Sequence, residues 1–473
     1  MERDKKQRMK TAFFILFIIL LPATLCSQRN KNNAAKVAGE EQKQFWKRIA
    51  DSIPEFQSVF KKHQKYRFEV IYGQVNHEPG KLPRIRKFYF GDPTQYFYPA
   101  SCVKLPVALK TFQKLNNIQQ DTLGGEWYLQ FEDTGICGGH KYITRSDHFL
   151  RVKEPTRAIK AAALCGTKAE EFCQLNSIDP DHAIEAGALI VANKQRPVTM
   201  NEALSEMLIY SHNGFYNQLF DFSTGEESQF NARVKITTRF LPCIGEHVDA
   251  STGCVIISGK NARTIRIAPE RIDDLKKNIF QKGLLVGKGM MNGDKLIKGP
   301  KNFTRHNALY LETIQNALIE VVFPGYLPQG SFYDINEEQR RMLIKYLGMR
   351  PSEDRIVSDT AFLHVKDDYT NFLFTGQSHP NLPPHIRLVN IVGQSYGFLT
   401  DVLYFADEKN KVDFFLAARI YVNEDQILND DKYEYEQIAY PLFEKLGKEI
   451  YKYELTRSKT YATNPEWLFQ IFR

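Results

Sequence analysis

The stretch Tyr96-Phe-Tyr-Pro-Ala-Ser-Cys-Val-Lys-Leu-Pro-Val-Ala-Leu109 sets a serine and a lysine three residues apart at the start of an apolar run. Ser101 and Lys104 stand at i and i+3, so if a helix begins here both project from its first turn on one face. A serine hydroxyl is a weak nucleophile until a base takes its proton, and a lysine kept partly neutral by burial can be that base. The start of a helix also presents unpaired backbone N–H groups, which stabilise negative charge developing on a substrate oxygen. Ser-x-x-Lys arises easily by chance in a chain this rich in both residues, and its bland reading is a buried serine beside a solvated lysine. The context decides between the two.

Upstream, Tyr66 to Val75 is rich in β-formers, and Lys87 to Phe90 continues the pattern after a turn at Pro79-Gly80, which predicts an antiparallel pair directly before Ser101. Phe45 to Lys61 has apolar residues at helical spacing interrupted by Pro54, and reads as a helix covering a sheet. Downstream, residues 105–220 read as mainly helical, with loops holding Gly135, Cys137, Gly138 and Gly139. Thr199-Met-Asn-Glu202 fits a capping box for a helix ending near Tyr210, and Tyr210-Ser-His-Asn-Gly214 is a polar break before the next apolar segment. Val255 to Ser258 is strand-like, and Leu311 to Phe323 reads as a helix. Leu388 to Phe405 and Val412 to Val422 read as two strands about a turn at Asp407-Glu-Lys-Asn410, followed by a helix over Lys432 to Leu455 that Pro441 kinks. The order predicts an α+β fold: an antiparallel sheet with helices packed on it and a helical lobe inserted.

The chain has 473 residues, with 63 Lys and Arg against 55 Asp and Glu. Five of those basic residues and two of the acids crowd the first ten positions, so the rest carries no basic excess of the kind nucleic-acid binding needs. The apolar run Thr11 to Leu21 is shorter than the roughly 20 residues of a membrane span and is followed by Pro22-Ala-Thr-Leu-Cys-Ser27, which reads as a secretory signal. Residues 1–26 are thus expected to be a signal peptide and 27–44 a polar tether, with the protein exported to the periplasm or anchored facing it. The anchor is either the N-terminus or a lipidated Cys26. Export permits disulfides, and Cys165 with Cys173, or Cys243 with Cys254, are close enough in sequence to pair. The histidines and cysteines show no metal-ligand spacing, so neither metal nor cofactor is expected, and a monomer is.

With that order in place, Tyr98-Pro-Ala-Ser-Cys-Val-Lys-Leu-Pro106 resembles the first motif, with its flanks, of the penicillin-recognising serine hydrolases, which comprise class A β-lactamases and related penicillin-binding proteins. Tyr210-Ser-His-Asn-Gly214 resembles the second motif, with His212 in its variable middle position. The resemblance spans about residues 45–455 of a domain taken as 45–473, with 255–385 longer than the family core and 386–473 forming the C-terminal strands and helix. It implies a β-lactamase/transpeptidase-like fold in which Ser101 attacks a carbonyl and is acylated, with Lys104 as its base or part of the proton relay. Ser211 would pass a proton to the leaving nitrogen, and Asn213 would hold the substrate amide or fix Lys104. The oxyanion hole would use the N–H of Ser101 and a backbone N–H after Gly393, that of Gln394. The third motif departs from the family: Ile391-Val392-Gly393 stands where Lys-Thr-Gly is expected, which removes the lysine that meets a substrate carboxylate. Lys288 is a spatial substitute by composition alone. Glu246 is the candidate for the deacylating base, although Glu246-His-Val-Asp-Ala250 lacks the expected pattern around it. The expected activity is hydrolysis of a β-lactam or related amide, small-molecule or peptide. The alternatives are a cell-wall peptidase or esterase, and a binding protein that keeps the fold without turnover.

Overall fold

The computed structural model describes residues 39–119, 127–137, 140–145, 198–224, 234–235, 254–259, 264–267, 280–304, 306–328, 335–354, 365–378 and 381–473. Two compact units are present, residues 1–57 and 58–473. In the first, helix α1 covers residues 39–52, so the last part of the expected tether is helical. Glu40, Glu41, Gln42, Lys43 and Gln44 are all good helix formers, and their propensity extends the helix upstream of its apolar face.

In the second unit, β1 (Glu69–Asn76) and β2 (Arg84–Phe90) form the predicted antiparallel pair. A 3₁₀ turn, Ala100–Val103, leads into α2 (Lys104–Gln119). Strands β3 (Trp127–Cys137) and β4 (His140–Arg145) then pair antiparallel, inside the segment expected to be mainly helical. Trp127, Tyr128, Phe131, Tyr142 and Ile143 are strand formers, and this local preference outweighs the loop signal of Gly135. Helices α3 (Met200–Ile209) and α4 (Asn213–Thr224) flank the polar break, and β5 (Cys254–Gly259) pairs with β3 and with β6 (Thr264–Ile267). The expected disulfides involve residues outside the described part, and the segment before position 39, with Cys26, lies outside it too.

Helix α5 (Leu311–Val322) buries Leu311, Ile314, Gln315, Leu318, Ile319 and Val322, the i, i+3, i+4, i+7 stripe of an amphipathic helix. Helix α6 is Glu337–Gly348, closed at its start by a capping box of Asn336 and Gln339. Three strands follow, not two: β7 (Ile386–Ser395), β8 (Phe398–Asp407) and β9 (Val412–Tyr421). The run from 386 to 407 is buried on both faces except near its turn, and its polar residues follow no alternation that marks the centre. The chain reverses at Tyr396 (φ +55°) and Gly397 (φ +83°), a two-residue turn with both residues left-handed. Pro441 stands at the second residue of α7 (Tyr440–Thr456), which continues directly from a π-helical turn, Tyr435–Ala439.

The central sheet has the order β7-β8-β9-β1-β2, with every neighbour antiparallel. Helix α5 covers one face, where Gln315 donates to the Ile71 carbonyl and Phe323, just past the helix, packs on Tyr404 and Phe415. Helix α7 covers the other, with Tyr451 on Phe405 and Tyr453 on Tyr72. Covering both faces explains why β8 is buried along its whole length. The fold is α+β, as its element order predicts, and β7 is an edge strand.

Candidate active site

The loop that delivers Ser101 is held from far along the chain. The Arg419 guanidinium lies over the Phe97 ring at 4.4 Å and donates to the carbonyls of Asp92 (2.9 Å) and Gln95 (3.0 Å). Arg67 donates to the carbonyls of Tyr96 and Gly283, each at 2.7 Å, and the Tyr96 hydroxyl donates to the Asn307 carbonyl at 3.0 Å. With the loop fixed at these points, Ala100 is held at φ +44°, a conformation that costs an alanine about 1–3 kcal/mol and persists only where its surroundings impose it. The next residue is Ser101.

Lys104 is fully buried. Its Nζ lies 2.8 Å from Ser101 Oγ, 2.8 Å from Ser211 Oγ, 2.5 Å from the Ser211 carbonyl and 2.7 Å from Asn213 Oδ1. Burial pushes its pKa well below the ordinary lysine value, against a smaller raising effect from the nearby Cys102. A neutral amine has two N–H groups and one lone pair. The Ser211 carbonyl and Asn213 Oδ1 can only accept, so they suit the two N–H groups, and the lone pair is left for a hydroxyl proton from Ser101 or Ser211. This set of oxygens therefore matches a base in its working form.

The polar break at 210–214 supplies half of that cluster. Ser211 is left-handed at φ +57°, which turns its carbonyl and hydroxyl onto the same amine. His212 is buried, and its Nδ1 accepts the Phe215 N–H at 3.2 Å, capping α4 and fixing where Asn213 begins the helix.

Edge strand β7 runs against the Ser101 turn. A Cβ on Gly393 would stand 2.2 Å from the Pro99 carbonyl oxygen and 3.2 Å from the Cys102 nitrogen, so only glycine allows this approach. In a two-residue turn of this type the closing pair, Ser395 and Phe398, is the hydrogen-bonded one. Alternation then makes Gly393 a bonded residue and aims the Gln394 N–H away from β8, off the free edge. The Gln394 side chain is exposed, and its Oε1 accepts from Tyr440 at 2.9 Å. Ile391 is 4 % exposed and belongs to the apolar core, as its chemistry demands.

Ser101, Lys104, Ser211, Asn213 and Gly393 are thus gathered by elements far apart in sequence. Glu246 lies outside the described residues. Lys288 is exposed in a separate turn, its N–H bonded to Gln426 and its carbonyl to Gly299, each at 2.7 Å. Sequence reasoning missed Arg67, Arg419 and the His212 cap. The first two act on partners with no local signal, whereas a polar residue immediately before a helix is a legible cap.

No protein-family model matches the chain, and no curated protein does. Solved structures similar to it include a β-lactamase from Streptomyces albus G, at 12% identity, covering 83% of this chain and 97% of that one with a TM-score of 0.36. A halotolerant bacterial β-lactamase is similar at 10% identity, covering 83% of this chain and 98% of that one, with a TM-score of 0.36. The class A β-lactamase from Clostridium kluyveri is similar at 12% identity, covering 84% of this chain and 99% of that one, with a TM-score of 0.35.

Proposed function

We propose that the chain is an exported serine acyl-enzyme former, acting on a β-lactam or related amide through Ser101. The observation that supports this best is a fully buried Lys104 whose amine, pushed towards its neutral form, lies 2.8 Å from Ser101 Oγ. The Ser101 oxygen attacks the carbonyl carbon as its proton passes to Lys104 Nζ. The resulting oxyanion is met by the N–H groups of Ser101 and Gln394. Ser211 returns the proton to the leaving nitrogen, the C–N bond breaks, and the acyl group remains on Ser101. Asn213 holds Lys104 and the substrate amide. Water then releases the acyl group if a base is supplied, and Glu246 is proposed for that step; without it the acyl-enzyme is long-lived.

Incubating the protein with a fluorescent penicillin should give a covalent adduct that Ser101→Ala abolishes. Absence of any Ser101-dependent adduct with both the penicillin and an activated ester would sink the reading. A second reading, a cell-wall peptidase or esterase, is favoured by Ile391, because a buried isoleucine cannot pair with the carboxylate of a β-lactam. Ile391→Lys separates the two: a large gain in β-lactam hydrolysis points to a different native substrate.

A further inference from the structure

Beyond Gln394, β7 ends in a partly buried serine and in a tyrosine that lies under a lysine. The missing Cβ of Gly393 points into the Ser101 turn, at the Pro99 carbonyl and Cys102, and strand alternation aims the side chain two residues on, Ser395, to the same face. The Ser395 hydroxyl has no hydrogen-bond partner among the described residues. Tyr396 follows, and its ring packs on the loop that delivers the nucleophile: its centroid is 5.6 Å from that of Tyr98, three residues before Ser101, and 5.8 Å from that of Phe303, which is itself 5.5 Å from Tyr98.

Lys301, on the short strand Lys301–Asn302, is seated on these rings. Its Nζ lies 5.4 Å from the Tyr396 centroid and 5.9 Å from that of Phe303, with Met290 Sδ at 3.5 Å. The rings place a partly buried ammonium at the end of β7, on the face that Gly393 and Ser395 present to the Ser101 turn. The surrounding charges agree with a positive site. The hairpin that carries Met290 pairs it with Ile297, and Lys295 shares their face. Met291 points to the other face, where it lines a separate hollow with Asp425, Asp430 and Asp431.

The Gln394 N–H, proposed to meet the oxyanion, divides the strand. Ile391 lies three residues before it, about 10 Å away, and Tyr396 two residues after it, about 7 Å in the opposite direction. In a β-lactam the carboxylate that a third-motif lysine would meet is attached on the leaving-nitrogen side. The Ile391 end of β7 therefore faces the leaving group, and the Tyr396 end faces the acyl group.

We propose that the acyl group transferred to Ser101 carries a carboxylate, bound by the Lys301 ammonium and the Ser395 hydroxyl. This rests on the reading of Ser101 as the nucleophile, and it names a substrate class: donors with their negative charge on the acyl side, in place of the leaving-group charge that a third-motif lysine would select. Both protein groups donate to an anion, and hydrogen bonds to a charged group are the stronger kind.

The test uses the full chain and three p-nitrophenyl esters built on one rigid acyl spacer, so that the end group cannot reach its own ester. They end in a carboxylate, its carboxamide isostere and a trimethylammonio group. The burst of p-nitrophenolate that Ser101→Ala abolishes gives the acylation rate. The carboxylate ester should react about tenfold faster than the carboxamide, with the cationic ester slowest, and added salt should narrow the gap. Lys301→Gln should bring the ratio of carboxylate to carboxamide rates to about one, while Lys301→Arg keeps most of it, as charge and not shape requires. Ser395→Ala leaves the rings untouched and should lower the ratio several-fold. The carboxamide ester controls for folding, so only the ratio counts: no preference for the carboxylate in the wild type, or a ratio that either Lys301→Gln or Ser395→Ala leaves unmoved, overturns the proposal. If no ester acylates Ser101, the acyl-transfer reading itself falls. The anion site is then judged separately by calorimetry with the carboxylate and carboxamide forms of the matching N-methyl amide: a preference for the carboxylate that Lys301→Gln abolishes upholds it, and none overturns it.

Discussion

Two of the cations buried in the larger unit, Arg419 and Lys104, are surrounded in opposite ways. Arg419 meets the Glu69 carboxylate at 2.5 Å and the carbonyls of Gln95 and Asp92, which suit a permanent positive charge. Lys104 meets two hydroxyls, a carbonyl and a side-chain amide oxygen, and its burial drives the amine towards neutrality. The first environment keeps a cation and fixes a loop. The second makes a base out of a residue of the same formal charge, and the two are coupled, because the loop that Arg419 fixes carries the serine that Lys104 serves.

The comparison breaks first at the base. Lys104→Met keeps the length and apolar volume of the side chain but removes the amine, and Ser101 acylation by an activated ester should fall by about a hundredfold to ten-thousandfold, the range general-base catalysis supplies. Burst kinetics measure it, and a variant within threefold of wild type means that Lys104 is a packed side chain and not a base.

That pair was legible because three residues on a helix are a fixed geometry. Ser211 and Asn213 stood out as a polar break between two apolar helices, but such a break is usually a plain turn. Their place in the site came only from the resemblance of Tyr210-Ser-His-Asn-Gly214 to the second motif. The Tyr396-Gly397 reversal was not legible, since the usual signal of such a turn is Asn-Gly and a tyrosine there reads as one more apolar strand residue. Nor were the arginine tethers, because a contact between Arg419 and Asp92 depends on the closure of the whole sheet. The sheet itself was readable from its β-former runs, while β3 and β4 were hidden by the glycines around 135–139.

Glu69→Gln tests the other half. It preserves shape but leaves the Arg419 guanidinium buried beside a neutral amide, and stability should fall by about 3–5 kcal/mol, the usual cost of breaking a buried pair from one side. Urea unfolding followed by tryptophan fluorescence measures it. A loss below about 1 kcal/mol would place Arg419 with the weak surface pairs.

The pH response then sharpens the contrast. Because burial lowers the Lys104 pKa, the folded chain binds fewer protons at this site than the unfolded chain between that lowered value and about 10.4, the ordinary lysine value. Unfolding free energy therefore rises with pH across that window, and falls as pH drops towards the folded value. Acylation shares the direction: it is slow while the amine is protonated, rises as the proton leaves and levels off below the ordinary lysine range. Lys104→Met should remove both slopes. An acylation profile whose midpoint stays near 10.4 would mean that the amine is solvated in the working protein.

The smallest effect belongs to His212. Its Nδ1 caps α4, so His212→Ala should cost about 1 kcal/mol of stability, as the loss of a side-chain cap does. The consequence for the site is separable, because α4 starts at Asn213, one of the acceptors that fix the Lys104 amine. If the cap sets the position of that acceptor, acylation drops several-fold and His212→Asn, which restores a capping oxygen, recovers both stability and rate. Recovery of stability without rate would show instead that the imidazole itself, and not the cap, matters to the proton path through Ser211.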